Sequence, residues 1–128
     1  AAAPRVPPST EAQTPVPEAT AQPAHFAYVD AVEGKDKFGH PIAPGIIVDT
    51  TSVIDLKTKM LACHESQRNW LLAHHGIDEY TEQMKKLGQV RGVEIGAAFG
   101  EGFRQHLGHA YPQDDILAAE LGDLVHRR

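Results

Sequence analysis

The stretch QVRGVEIGAAFGEGFRQHL, Gln89 to Leu107, carries glycines at 92, 96 and 100, and the architecture inferred for the chain turns on what they do. Read as a helix, the stretch loses about 1 kcal/mol of propensity at each glycine. Ile95, Phe99 and Phe103 then form an apolar line beside the glycine line. A helix keeps such a groove only where another element lies against it. Residues 89–107 are therefore expected to be a helix buried on a sheet or on another helix.

Upstream of it, Asp78 is placed to cap a short helix carrying Tyr80, Met84 and Leu87, stopped by Gly88. Before that, Val53, Leu56, Met60, Cys63, Gln67 and Trp70 recur at three-and-four spacing behind a capping-box-like Ser52 and Asp55. This helix is expected to end near His74-His75-Gly76, where the imidazoles suit the negative end of the dipole. HFAYVDAV, 25–32, reads as a short strand followed by a Gly- and Pro-rich loop. The unbroken run Ile46-Ile47-Val48 reads as a strand covered on both faces, as in a parallel or mixed sheet. Downstream, Asp114 to about His126 reads as a last helix, with Asp114 and Asp115 as its caps. Two strands are too few for a self-sufficient sheet. The expected fold is therefore α/β, the C-terminal part of a larger domain whose other strands lie outside this chain, and a first residue that is Ala agrees with a processed or partial chain.

Composition narrows the function. The chain has 128 residues and a net charge of −5, with no basic cluster interleaved with aromatics, which argues against nucleic acid. No apolar run approaches the ~20 residues of a membrane span, so a cytoplasmic protein is expected. Residues 1–24 hold six of the nine prolines and no aromatic, and are set apart from 25–128 as an extended Pro/Ala-rich segment. The one cysteine, Cys63, excludes an internal disulfide and reads as a buried small apolar side chain.

His64-Glu65 begins like the zinc-protease helix motif, which needs a second His four residues on to grip the same ion. Position 68 is Arg, a fixed cation, so the motif is not completed. His106, His109, Asp114 and Asp115 could in principle form a two-His, one-carboxylate set, but Gly108 and Pro112 favour a polar helix-end loop. No nucleophile elbow, glycine-rich phosphate loop or CxxC is present.

The run FAYVDAV…GHPIAPGIIVDTTSVIDLKTKMLACHESQ, followed by RGVEIGAAFGEGFRQH, resembles the carboxy-terminal half of the PIG-L/LmbE-like zinc-dependent N-deacetylases. The likeness spans about residues 24–110, with 47–67 its specific part. It implies a Rossmann-like α/β fold with a mostly parallel sheet flanked by helices. It also implies a hydrolase that removes an N-acetyl group from an N-acetylglucosamine-type substrate, a small acylated amino-sugar conjugate. Zinc would polarise the amide and activate water, but the family's zinc and general-base motifs lie upstream of the matched segment and are not in this chain. His40, in FGHPIAPG, lacks the following Asp-His and takes no zinc role. The chain alone is thus expected to be inactive and to hold no metal ligand, with His64, Ser66 and Gln67 at the edge of the substrate pocket. The alternative is a non-catalytic structural or interaction module that pairs with another chain; a homo-oligomer is compatible with either reading.

Overall fold

The computed structural model describes residues 23–31, 33–75 and 79–128. Apart from residues 23 and 24, the Pro/Ala-rich segment lies outside them, as does the expected cap Asp78. The elements in chain order are β1 (Ala27–Val29), β2 (Ile46–Asp49), α1 (Ile54–Ala62), α2 (Glu65–His75), α3 (Glu79–Ile95), β3 (Gly100–Gln105), α4 (Ile116–Leu121) and β4 (Val125–Arg127). Single 3₁₀ turns at Thr51–Val53 and Gly122–Leu124 lead into α1 and β4.

The strands form one sheet in the order β1-β3-β2-β4, and every pairing is antiparallel. This overturns the mostly parallel, Rossmann-like expectation, and residues 89–107 are the reason. They are two elements. Helix α3 runs on through Gly88 and stops at Ile95, where Gly96 takes a left-handed φ of 72° that a side chain would resist. The Gly96 N–H donates to the Val93 carbonyl (3.3 Å) and the Ala97 N–H to that of Gly92 (2.9 Å), the paired bonds of a Schellman stop. The chain then reverses into β3, which enters between β1 and β2 and pairs antiparallel with both.

The glycine line has a different purpose at each member. A Cβ at Gly92 would lie 2.7 Å from the backbone of 97–99, so its absence lets the turn fold back on the helix. A Cβ at Gly100 would lie 3.0 Å from Ile47 and 3.1 Å from the α3 backbone at Arg91 and Gly92. The expectation of close packing is met at 92 and 100 but not at 96, where nothing lies within 4 Å.

Ile46, Ile47 and Val48 are 4%, 0% and 7% exposed and are the buried hydrophobic core of the described residues. They are covered on both faces as expected, although their neighbours run antiparallel. Beside them Arg91 (α3) donates from Nε and Nη2 to Asp30 at 2.7 and 3.1 Å, and from Nη1 to Glu94 at 2.8 Å. The hydrogen bond to Asp30 holds the Arg91 guanidinium above its ordinary pKa, so it stays charged although its side chain is only 10% exposed.

Two other helices differ from expectation. The single helix expected from Ser52 to His74 breaks at Cys63-His64. The Leu61 carbonyl, which a continuous helix would offer to the Glu65 N–H, instead accepts from the Tyr80 hydroxyl at 2.6 Å and from the His64 N–H at 3.2 Å. Ser52 makes no cap; Asp49 does the local bonding, accepting from the Thr51 N–H at 2.9 Å. The helix expected to reach His126 ends at Leu121, because Gly122 is left-handed (φ 54°) and Val125–Arg127 join the edge of β2. Asp115 is its N-cap as expected, accepting from the Ala118 N–H at 3.1 Å. No helix among the described residues is long and apolar enough to cross a membrane.

Candidate functional site

Side chains alternate across a strand, so the register fixes which residues share a face. Gly100 and Gly102 face α3, as their close approaches to Arg91 and Asp30 show. Two residues further on, Arg104 pairs with Tyr28, and the His106 N–H donates to the Phe26 carbonyl at 2.8 Å. Phe26, Tyr28, Arg104 and His106 thus share the face that α3 covers further along. Tyr111, from the loop after β3, completes the group.

The rings pack edge to face. The Phe26 and Tyr28 centroids are 5.1 Å apart with planes at 90°, and those of His106 and Tyr111 are 4.2 Å apart at 61°. The Tyr28 hydroxyl and His106 Nδ1 are hydrogen-bonded at 2.9 Å, which fixes both rings. The cluster is nevertheless open: Phe26 is 50% and Tyr28 51% exposed. A hollow of about 420 Å³ lies against it, lined by Tyr28, Ile42, Arg104, His106 and Leu107 among others. That is within the range of small-molecule sites, with apolar and aromatic walls and a few fixed polar groups. Phe26 itself lines a smaller, more apolar hollow of about 190 Å³, together with His25, Ala27, Ile46, Ile116 and Leu117.

The residues singled out from sequence are dispersed. His64, Ser66 and Gln67 are exposed, at the α1–α2 break and in the first turn of α2, and line neither hollow. Cys63 is exposed instead of buried, its Sγ 3.3 Å from the Lys59 carbonyl. His106 goes to Tyr28, Asp114 to His25 at 3.0 Å, and Asp115 to the α4 cap and Arg127. His109 is exposed and joins none of them. His40 pairs locally with Asp36 at 3.3 Å, and His74 stacks on Trp70 one turn back, centroids 4.5 Å apart. Among the described residues no three His, Cys, Asp or Glu side chains come together as a metal site.

The sequence reading missed Phe26, Tyr28, Arg104 and Tyr111. A signal existed: aromatics at 26 and 28 and polar groups at 104 and 106 each recur at the two-residue strand period. It is hidden because 100–106 also continues the helical spacing of Gly92, Gly96 and Gly100. No protein-family model, curated protein or solved structure matches the chain.

Proposed function

We propose that the chain is the ligand-holding part of an amide hydrolase that removes an N-acetyl group from an N-acetylglucosamine-type conjugate, with the sugar seated at the aromatic end of the sheet. The observation that carries this reading is the cluster of exposed Phe26, Tyr28 and Tyr111 around the half-buried His106, with Tyr28 and His106 lining the 420 Å³ hollow. A pyranose presents one face of C–H groups, which stack on aromatic rings, and a rim of hydroxyls, which the Tyr28 hydroxyl and His106 imidazole can meet. The likeness of residues 47–67 to the N-deacetylases supplies the substrate class. The residues present do not fit the zinc ion of that chemistry, since no ligand set converges among those described. In this reading the metal and general base belong to other polypeptide.

Saturation-transfer NMR with N-acetylglucosamine on the 128-residue chain tests the proposal. Transfer to the pyranose ring protons is expected, and both Tyr28→Ala and Tyr111→Ala should weaken binding about tenfold or more, the scale of one lost stacking contact. Absence of transfer at tens of millimolar sugar, or equal binding by both variants, rejects it.

The alternative, a module that pairs with another chain, has its own observation. Val53, Leu56 and Met60 around α1, with Trp70 and Leu72 on α2, leave large apolar side chains exposed. Light scattering behind gel filtration separates the two readings. A dimer mass that returns to the monomer in Leu56→Glu/Met60→Glu favours pairing, and a monomer at all concentrations removes the self-pairing form.

A further inference from the structure

Among the described residues Arg104 is the arginine without a partner. Arg91 is held by Asp30 and Glu94, Arg127 by Asp115, Arg128 by Glu94 at 3.2 Å, and Arg68 also makes an interaction. Arg104 is exposed and makes no side-chain hydrogen bond or ion pair with any described residue. In a chain with five more acidic than basic residues, a guanidinium with no carboxylate beside it is conspicuous.

Its place in the sheet gives the absence a use. Ile46 pairs with Phe103 on one side and with Arg127 on the other. One residue along, the Arg128 N–H donates to the Gly45 carbonyl at 3.0 Å, and the Gly45 N–H donates to the carbonyl of Phe103, the residue before Arg104, at 3.1 Å, so Arg104, Gly45 and Arg128 meet at one end of the sheet. Tyr28, in register with Arg104, continues the row on the other side. Arg104 and Tyr28 lie on the aromatic face by strand alternation, and Arg128 reaches Glu94 of α3, the helix that covers that face further along. The middle of the row is bare, since a Cβ at Gly45 would meet nothing within 4 Å. Two cationic side chains thus flank an open glycine floor, about two strand spacings apart or ~10 Å at the backbone. Arg104 also forms the wall shared by the 420 Å³ hollow and a second one of about 310 Å³ lined by Ala43, Gly45, Arg127 and Arg128.

We infer that the row Arg104-Gly45-Arg128 is a subsite for an oxyanion, a phosphate or carboxylate, carried by the same ligand whose ring rests on Tyr28 and His106. The inference rests on the aromatic end being the ligand site. A planar guanidinium with five donors suits two-point contact with such a group. Glu94 is the nearest opposing charge to Arg128, and it is already shared with Arg91, so the attraction centres on Arg104. Arg128, braced by Glu94, keeps further N–H donors for the ligand.

The experiment is calorimetric titration of the 128-residue chain with N-acetylglucosamine, its 1-phosphate and inorganic phosphate at low salt, repeated on Arg104→Gln and Gly45→Leu. Thermal midpoints would confirm that both variants fold. The sugar phosphate should bind about tenfold or more tighter than the neutral sugar, and added salt should erode the gain. Arg104→Gln should abolish it, and Gly45→Leu should do the same by filling the floor. Equal affinity for charged and neutral sugar, or an advantage that survives Arg104→Gln, overturns the subsite while leaving the sugar reading intact. Phosphate binding that needs Arg104, without any affinity for the neutral sugar, keeps the anion site and removes the sugar reading. No binding of any probe overturns both.

Discussion

Gly92 and Gly100 touch across the helix–strand junction, and the two make different demands on substitution. A methyl at Gly92 would drive into backbone at 2.7 Å, which cannot rotate away, whereas a methyl at Gly100 would meet Ile47 and the helix at 3.0–3.1 Å, where small shifts relieve it. Gly92→Ala should therefore lower stability by about 2 kcal/mol or more, and Gly100→Ala by less. Urea denaturation of both variants checks the order, and the reverse order would misplace the junction. Asp115 carries a second residue-scale prediction. Burial pushes its pKa up, but the Ala118 N–H and Arg127 outweigh this and hold it below its ordinary 3.8. A depressed folded-state pKa adds stability that is present above that value and lost as pH falls through and below it. Asp115→Asn keeps a cap acceptor but loses the charge that faces Arg127, so it should cost up to about 1 kcal/mol near neutral pH, and the gap to wild type should close as pH falls below the ordinary 3.8. Denaturation midpoints of the two proteins across that range decide it.

At the scale of elements, the parts written in local chemistry were legible and the parts written in tertiary contact were not. Ile46-Ile47-Val48 announced a buried strand and Asp115 a helix cap, and the structure has both. The stop at Gly96 was also in the sequence, but a glycine every fourth residue satisfies a helical groove as readily as a helix end, a turn and a strand. The break at Cys63-His64 had no local sign, because its cause is a hydroxyl from Tyr80 in another helix. The candidate ligand site suffered most, since Arg104 and His106 face Tyr28 and Phe26 only once 100–106 is a strand. The link between α3 and the loop after β1 is the Arg91–Asp30 pair. Removing one partner of a buried pair leaves a charge uncompensated, so Asp30→Ala should cost about 3–5 kcal/mol, while an exposed control such as Lys59→Ala should cost under about 1 kcal/mol. Similar thermal midpoints for the two would show that the pair is not structurally important.

For the whole molecule, the core of the described residues, centred on three contiguous residues of one strand, is small. The isolated chain should melt below the ~45–65 °C common to mesophilic domains, and a ligand or partner that covers the exposed faces should raise that temperature. Differential scanning calorimetry alone and with the sugar phosphate tests this. The strand order has a further consequence, for synthesis on the ribosome. β1 and β2 emerge first but are not neighbours in the sheet. Each must wait for β3, so Ala27 meets Gln105 and Ile46 meets Phe103 only across long loops that are entropically costly to close. Until residue 100 leaves the exit tunnel, the apolar run at 46–48 has no strand to pair with and is open to wrong partners. The nascent chain must carry this buried-type segment without its strand partner while residues 49–99 are made.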